Sequence, residues 1–345
     1  MTGRQAGGPE SYDLGLLRGL SAIGDAHRYA VYCVNPSGAA LCRDAAPGFR
    51  VEQLQPRQRW LSIPFGLPAQ VRRDRPDLVH ATFVAPPYLP APLVFTLLDI
   101  SPVTHPQFLP WGLRMRLWPL WRNSIRAARA IICISEFTRQ CLIDTFRYPA
   151  DRAFVAHLGV HDRFRVVPRT AVAARVAPYG IDGPYILHMG KLQARKNVVR
   201  LLRAFHALRD HLRVPHKLVF VGRKTFTSSD VDPVIDQLGL APHIVQTGHV
   251  DDRDTPYLYA GADVLAYPSL YEGFGLPVIE AMACGTPVVT STVTSLPEVA
   301  GDAAVLVDPY SVDAIAEGLA RVLSDEALAA RLRAAGLVRA STFTW

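Results

Sequence analysis

The chain has 345 residues, a length that indicates two domains rather than one. Hydrophobic residues make up 49% of it and the formal net charge is +7, which permits large cores and favours anionic partners. No uncharged apolar run of about 18 residues occurs, so no transmembrane helix is predicted. The positive charge comes mostly from scattered arginines without a zinc-finger or RNA-recognition signature, which argues against a nucleic-acid-binding protein.

The cysteines and the N-terminal residues bear on the cellular compartment. Five cysteines occur, an odd number with no C-x-x-C pair, which indicates reduced thiols and no structural zinc. The first residues lack the apolar core of a signal peptide. We therefore predict a cytoplasmic protein, either free or peripheral at the inner face of the membrane.

Short apolar runs alternate with amphipathic segments along the chain, a pattern typical of an α/β protein with parallel sheets. The predicted strands are Tyr29–Val34, Leu78–Thr82, Leu93–Leu97, Ala130–Ile134, Ala153–His157, Tyr185–Met189, Lys217–Val221, Ile244–Thr247, Val264–Tyr267, Val288–Thr290 and Ala304–Val307. The predicted helices are Tyr12–Ala22, Leu113–Arg129, Glu136–Thr145, Asn197–Leu212, Pro233–Leu238, Leu276–Ala283, Val312–Leu323 and Glu326–Arg339.

The ends of the chain and the middle are unusual for such a protein. Residues 1–6 contain no apolar run, so we expect the first strand of a doubly wound domain to be missing. At Trp345 the chain stops where we expect the entry to one more helix. The stretch Asp162–Gly183, with its prolines and glycines, is interpreted as an inter-domain linker that carries a short helix at Thr170–Val176.

Polar residues lie at or just after the ends of two predicted strands of the first half. His80 stands near the end of one strand, and Asp99 comes directly after another. The ends of parallel strands are where α/β proteins bind ligands, so both residues are candidates for catalysis. A structural histidine explains His80 equally well.

The segment Trp111–Arg129 combines three tryptophans with five arginines. A basic, tryptophan-bearing amphipathic helix can lie on an anionic membrane. The alternative is an ordinary domain helix with buried tryptophans. Pro119 is expected to interrupt the helix.

A cationic loop follows the strand Tyr185–Met189. It begins at Gly190 and contains Lys191, Arg195 and Lys196, placed where such a strand delivers its loop to the ligand crevice. A leaving nucleoside diphosphate needs positive charge of this kind. A solvated basic turn is the alternative for the loop taken alone.

Two carboxylates bracket a glycine-rich turn that opens a helix. Glu272 precedes Gly273 and Gly275, which allow close approach of the backbone to a ligand, and Glu280 lies one turn inside the helix. A helix N-terminus binds anions because its N–H groups and its dipole point outward. The pattern predicts a diphosphate over the turn and carboxylates that accept sugar hydroxyls.

Two further strands lead into glycine-bearing loops, at Gly222 and before Val250. A glycine at such a position lets a flat nucleobase lie against the backbone. Because strand-to-helix turns use glycine in any case, each signal is weak alone.

Several runs of this sequence resemble the retaining glycosyltransferases of family 4, also called group 1, which have the GT-B fold. The donor-domain runs are GKLQARKN, TGHVDDRDTPYLYAGADVLAYPSLYEGFGLPVIEAMACGTPVVTS and SLPEVAGDAAVLVDP. The first half resembles the acceptor domain more loosely, in VFTLLDISPVTHPQF and AIICISEFTRQCLIDTF.

The resemblance implies two Rossmann-like doubly wound domains that face each other across a cleft. Residues 1–168 would bind the acceptor, with Gly7, Gly8 and Arg4 lining that side, and residues 169–345 would bind the nucleotide sugar. Many relatives have a His-Asp pair where this chain has Leu98 before Asp99, so one candidate contact to the donor sugar is missing.

The resemblance also assigns roles to residues of the second half. Glu280 would bind the nucleotide ribose, and Lys191 with Lys196 would neutralise the phosphates. The sugar and the diphosphate would be held by Glu272 and by the backbone of the turn, at Gly273, Phe274, Gly275 and Leu276.

The function that this resemblance implies is retaining transfer of a hexose, as in mannosyltransferases, from a nucleotide-diphosphate sugar. The acceptor would be a glycan or a lipid-linked sugar in cell-surface polysaccharide synthesis. No cofactor and no metal are expected, because no Asp-x-Asp motif lies at a strand end near the site. A nucleotide-sugar epimerase or a phosphorylase is a weaker alternative, and so is a truncated or inactive homologue that binds nucleotide sugar without turnover.

Overall fold

The computed structural model describes residues 7–24, 26–58, 61–82, 84–86, 88–108, 111–225 and 230–345. The chain divides into two compact units, one formed by residues up to Gly159 together with Trp345, the other by Val160–Thr344. Both contain parallel strands connected through helices. The α/β class is therefore confirmed.

The first unit contains two parallel sheets. Strands β1 (Ala30–Cys33) and β2 (Arg50–Gln53) pair with each other, and β3 (Val79–Thr82), β4 (Leu93–Leu97), β5 (Ala130–Cys133) and β6 (Ala153–Val155) form a sheet in that order. Its helices are Gly8–Ala22, Pro36–Ala45, Leu67–Asp74, Ser101–Thr104, Trp111–Ala127 and Glu136–Phe146.

The division into two sheets differs from a single doubly wound sheet at one point of the strand order. In the standard order 3-2-1-4-5-6, the first strand lies between the second and the fourth. Among the residues described, β1 pairs with β2 and β3 pairs with β4, and no strand joins β1 to β3.

The second unit contains one six-stranded parallel sheet in the order β12-β11-β10-β7-β8-β9. Its strands are β7 (Tyr185–Met189), β8 (Lys217–Val221), β9 (Ile244–Gly248), β10 (Val264–Tyr267), β11 (Val288–Ser291) and β12 (Val305–Val307). Its helices are Arg169–Val176, Val198–Leu212, Val231–Gln237, Thr255–Gly261, Leu276–Ala283, Leu296–Ala300, Val312–Ser324 and Glu326–Ser341. The central strands β7, β8 and β10 are buried almost throughout, as expected for a sheet that helices cover.

The stretch interpreted as a linker belongs to the second unit. Its helix forms at Arg169–Val176, close to the predicted bounds, and Val172 and Val176 are buried. The hydroxyl of Tyr179 donates to Asp254 over 2.7 Å. Because these contacts tie the stretch to the second unit, the division falls at Gly159 rather than at the predicted position 168.

The last residue packs within the first unit. The Trp345 ring lies edge-on to the Tyr12 ring, with centroids 6.2 Å apart. A side chain at Gly15 or Gly19 would collide with Trp345, so these glycines provide the surface against which it packs. Residues 343–345, after the helix Glu326–Ser341, have no regular secondary structure.

The prediction that Pro119 interrupts its helix is wrong, since Trp111–Ala127 is continuous. A proline inside a helix leaves a carbonyl of the preceding turn without its usual partner. Pro119 is exposed, so water can hydrate that carbonyl. No described helix is both long enough and apolar enough to cross a bilayer.

The N-cap of the helix Val312–Ser324 gives a prediction about the stability of the second unit. The Ser311 side chain accepts a hydrogen bond from the Ala314 N–H over 3.1 Å and caps the helix Val312–Ser324. We expect Ser311→Ala to destabilise this unit by about 1 kcal/mol, measured as a lower urea midpoint. The matched control is Ser324→Ala at the other end of the same helix, where the exposed hydroxyl donates to the Ala320 carbonyl. Equal midpoints for the two variants would contradict the assignment of Ser311 as a cap.

Candidate active site

The six-stranded sheet of the second unit has one point at which the direction of the strand order reverses. From β7 the chain continues to β8 and β9 on one side, whereas β10, β11 and β12 extend on the other, so β7 and β10 lie side by side. Ligands of open α/β sheets bind outside the carboxyl ends of the strands at such a switch point. The loops that follow β7 and β10 contain the predicted cationic residues and Glu272.

These two loops meet in a buried ion cluster. The Lys196 ammonium lies 2.5 Å from Glu272 Oε1, and Arg195 Nη1 lies 3.0 Å from Glu272 Oε2. Arg195 Nη1 also donates to the Tyr271 carbonyl over 3.0 Å. Lys196 and Glu272 are each only 6% exposed. The structure therefore brings together three residues that the sequence predicted for one site.

The charges within the cluster fix the state of the carboxylate. Burial would raise the pKa of Glu272, but the positive charges of Arg195 and Lys196 outweigh burial and lower that pKa to about 2. Glu272 is therefore ionised at neutral pH. The carboxylate accounts for one charge against two cations, so the cluster keeps a net positive charge.

The sequence analysis missed Tyr267, whose hydroxyl joins the cluster. Tyr267 ends β10 and is fully buried. Lys196 Nζ donates to its hydroxyl, and the hydroxyl donates to Glu272 Oε1 over 3.0 Å. An apolar run ending in Tyr267 predicts only a strand, so no sequence signal separated this side chain from a core residue.

Two further residues that the analysis missed fasten the loops. Asn197, in the left-handed region at φ 62°, donates to the carbonyls of Pro268 and Pro309 over 3.0 and 2.6 Å. The Ser295 hydroxyl bonds to the carbonyls of Glu272 and Phe274 at 3.0 and 2.9 Å. Both side chains hold the backbone of a distant loop, which a local sequence pattern does not reveal.

The predicted anion-binding turn has the required backbone. Gly275 lies at φ 106°, and a Cβ there would come within 2.7 Å of Leu296 Cδ2, so only glycine fits. The helix Leu276–Ala283 follows directly and has no side-chain cap at its N-terminus. The Phe274 ring packs against Phe343 with centroids 5.6 Å apart, which leaves only the backbone of Phe274 for the predicted donor contact.

The second carboxylate lies in a different environment. The Tyr259 hydroxyl donates to Glu280 Oε2 over 2.7 Å, and burial raises the pKa of Glu280. The hydrogen bond that Glu280 accepts from the described residues uses Oε2. Glu280 can therefore offer one oxygen to a ligand hydroxyl.

The glycines at the ends of β7 and β8 have a structural reason of their own. A Cβ at Gly222 would collide with the carbonyl of Gly190, and both residues have positive φ. The Gly190 N–H bonds to the Val221 carbonyl over 2.8 Å, and the side chain of Val250 is buried. The donor-binding roles predicted for Gly190, Gly222 and Val250 remain predictions.

Lys191 is exposed and lies at the start of the loop, whereas Lys196 is buried. The sequence predicts the same phosphate-binding role for the two lysines, and the structure places Lys196 in an ion pair with Glu272. The phosphate-binding role of Lys191 remains a prediction.

The remaining predicted residues lie in the first unit. His80 Nε2 is 2.7 Å from Thr96 Oγ1, and Asp99 Oδ1 accepts the Ser101 N–H over 2.6 Å. Gly7 lies at φ 86° and caps the helix that begins at Gly8. Their catalytic and acceptor-binding roles remain predictions.

Arg4, also assigned to the acceptor side, lies outside the described residues. Among the residues that the structure does describe, no group of three or more His, Cys, Asp or Glu side chains is placed to hold a metal ion.

Comparison with protein families gives two matches. The model of "Glycosyl transferases group 1" matches residues 177–338, and that of "Glycosyltransferase Family 4" matches residues 6–164. Together they account for most of both units.

Named relatives agree with these matches. "O-antigen chain mannosyltransferase B" of Escherichia coli is 36% identical over 264 residues, which cover 75% of this chain and 69% of the relative. A "GDP-mannose-dependent alpha-(1-6)-phosphatidylinositol monomannoside mannosyltransferase" of Mycolicibacterium smegmatis is 32% identical over 68% of this chain and 63% of the relative. Of the longer "Serotype-specific mannosyltransferase WbdA" of Escherichia coli, 30% identical over 63% of this chain, the chain covers only 27%.

A solved structure shares the fold. Anabaena HepE in complex with UDP-glucose superposes with a TM-score of 0.77 at 21% identity, over 99% of this chain and 94% of that one. The sequence resemblance to the GT-B glycosyltransferases is thus confirmed at the level of family and fold. The chain belongs to the family 4, or group 1, glycosyltransferases.

Proposed function

We propose that this glycosyltransferase transfers a mannosyl residue from GDP-mannose to a hydroxyl group of a glycan or lipid-linked acceptor. The names of three relatives support mannose as the sugar, and one of those names specifies GDP-mannose. Two of the names refer to an O-antigen chain and to a phosphatidylinositol mannoside, which supports a role in cell-surface glycan synthesis.

The observation that carries the proposal is the ion cluster at the switch point. A glycosyl donor leaves as a nucleoside diphosphate, so negative charge develops on the phosphates as the bond to the sugar breaks. Lys196, Arg195 and the helix N-terminus at Leu276 are positioned to stabilise that charge. Because these groups are already held in place, little reorganisation is needed during the reaction.

The same geometry argues against Glu272 as a covalent nucleophile. Both of its oxygens are engaged, by Lys196, Tyr267 and Arg195. We therefore propose transfer with retention through an oxocarbenium-like transition state, in which Glu272 anchors the cations. We further propose that the reaction needs no metal ion, since the protein supplies the positive charge.

Nucleotide binding tests this proposal. We expect GDP in excess to raise the unfolding temperature by more than UDP, ADP or dTDP, because binding to the folded state stabilises it by a few kcal/mol. EDTA should leave the shift unchanged. A larger shift with UDP would reject GDP-mannose as the donor, and an EDTA-sensitive shift would contradict metal independence. No shift with any nucleotide would contradict the donor site itself.

The ionisation of Glu272 gives a pH test. Its pKa is lowered from an ordinary 4.5 to about 2, so the carboxylate stabilises the fold above pH 4.5 and loses that effect as the pH falls towards 2. The shift corresponds to about 3 kcal/mol. Between pH 5 and 2.5, we expect the unfolding free energy of the wild type to fall more steeply than that of Glu272→Gln, by up to this amount.

Glu317→Gln is the matched control, since Glu317 is exposed on the helix Val312–Ser324 of the same unit. It should keep the wild-type loss of stability in acid. Equal acid slopes for the wild type and Glu272→Gln would show that the ion cluster does not contribute as described.

We also propose that the helix Trp111–Ala127 contacts an anionic membrane. Trp111 is 75% and Met115 54% exposed, and the exposed Arg122 and Arg126 share their helix face, at spacings of four and seven residues. No acidic residue occurs between Asp99 and Glu136. Exposed apolar side chains flanked by arginines fit the surface of an anionic bilayer, where a lipid-linked acceptor would lie.

Vesicle sedimentation tests the membrane contact. We expect binding to phosphatidylglycerol-containing vesicles but not to pure phosphatidylcholine, with affinity falling as salt is added. Replacing Trp111 and Met115 together by Ala should weaken binding about tenfold or more, through the lost apolar burial. Val338→Ala, at a 70% exposed position of the second unit, should have no effect. Equal binding to both vesicle types would contradict the proposal.

A further inference from the structure

The backbone pairing of strands β7 and β10 ends at the switch point. Beyond it, a hydrogen bond from a side chain of β7 connects the two strands. Their backbone register ends at Leu265 and Leu187. The next carbonyl of β10, that of Ala266, accepts a hydrogen bond from His188 Nδ1 over 2.9 Å. His188 is fully buried, and its ring stacks on that of Tyr267, with centroids 6.1 Å apart and planes 29° apart.

The imidazole behind Tyr267 is neutral. A carbonyl accepts only from a protonated nitrogen, so Nδ1 carries the hydrogen of the neutral ring. Burial lowers the pKa of His188 to about 4, and it outweighs the hydrogen bond to the Ala266 carbonyl, which acts in the opposite direction. His188 therefore fixes the backbone next to Tyr267 without adding a charge that would repel Lys196.

The Tyr267 hydroxyl makes two hydrogen bonds of defined direction. It accepts from Lys196 Nζ and donates to Glu272 Oε1, and the ammonium lies 4.5 Å from the centroid of the same ring. Burial and then the charge of Glu272 raise the pKa of Tyr267 well above its usual value, so the phenol stays protonated. Lys196 thus has an anionic partner, Glu272, and a neutral partner, Tyr267.

The two partners act differently on a bound phosphate. Glu272 holds the ammonium but compensates part of its charge, whereas a neutral hydroxyl holds it and leaves the charge intact. A lysine side chain has four rotatable bonds, so its ammonium needs a fixed partner to remain aimed at one place. The ring of Tyr267 is itself held by His188 and by complete burial.

We propose that Tyr267 is a positioning residue, whose hydroxyl aims the Lys196 ammonium at the diphosphate of the donor. The inference rests on the proposed function, because it presumes that Lys196 binds phosphate. The alternative is that Tyr267 is a core residue whose ring alone matters. Phenylalanine would preserve the ring and remove only the hydroxyl, so Tyr267→Phe separates the two.

The test compares ligands with and without phosphate in a double-mutant cycle. GDP binding is measured by calorimetry and guanosine binding by ligand-observed NMR, for the wild type, Tyr267→Phe, Lys196→Ala and the double variant. We expect Tyr267→Phe to weaken GDP binding about 3- to 10-fold, as for the loss of one hydrogen bond, and to leave guanosine binding unchanged. In the Lys196→Ala background, Tyr267→Phe should have no further effect on GDP.

The matched control is Tyr185→Phe. Tyr185 is a buried tyrosine of the same sheet, and its hydroxyl donates to the Leu258 carbonyl over 2.8 Å, away from the ion cluster. That variant should lower stability without changing the ratio of GDP to guanosine affinity. An equal loss for GDP and guanosine in Tyr267→Phe would overturn the positioning role, and so would an equal effect with and without Lys196.

A second measurement covers a Tyr267→Phe variant that fails to fold. In wild-type protein labelled at tyrosine Cζ and lysine Nζ, GDP should shift the NMR signals of Tyr267 and Lys196 together. A Tyr267 signal that GDP leaves in place, while the Lys196 signal moves, overturns the positioning role alone. If none of GDP, UDP, ADP and dTDP binds the wild type, the proposed function fails and this inference fails with it.

Discussion

The site depends on one buried ion cluster, in which Glu272 lies between Lys196 and Arg195. Removing a carboxylate and an ammonium from water costs several kcal/mol for each ion, and that cost is offset only by close pairing and further hydrogen bonds. Here both oxygens of Glu272 are engaged at 2.5–3.0 Å. The cations come from the loop after β7 and the carboxylate from the loop after β10, so the cluster connects the two sides of the switch point.

Hydrogen bonds hold the backbone of both loops around the ion cluster. The Leu270 N–H bonds to the Arg195 carbonyl over 2.8 Å, and Ser295 holds the carbonyls of Glu272 and Phe274. Asn197 links the cationic loop to the carbonyls of Pro268 and Pro309. Buried polar groups rarely lack partners, and these bonds satisfy carbonyls that the ends of β10 and β12 would otherwise leave unpaired. These hydrogen bonds hold the backbone around the cations before a ligand arrives.

The sequence predicted the framework of this site better than its interior. Buried strands such as Leu93–Leu97 and Tyr185–Met189, and the helix Leu276–Ala283, form with the predicted bounds because continuous apolar runs and a glycine turn mark them. Strand Arg50–Gln53 was missed because its alternating polar residues are only partly buried. Tyr267, Asn197 and Ser295 were missed because each acts on a loop more than 20 residues away, as the hydrogen bonds of Ser295 with Glu272 show.

The two carboxylates of the glycine-rich turn differ in a way that fits the proposed division of roles. Two cations lower the pKa of Glu272, whereas Glu280, with the Tyr259 hydroxyl as its hydrogen-bond partner, has its pKa raised by burial. Environments that push the pKa values of two similar groups apart give those groups different functions. Glu272, which is ionised at neutral pH, is suited to anchor cations beside a diphosphate. Glu280, which presents one oxygen, is suited to bind a hydroxyl group, as the family resemblance implies for the ribose.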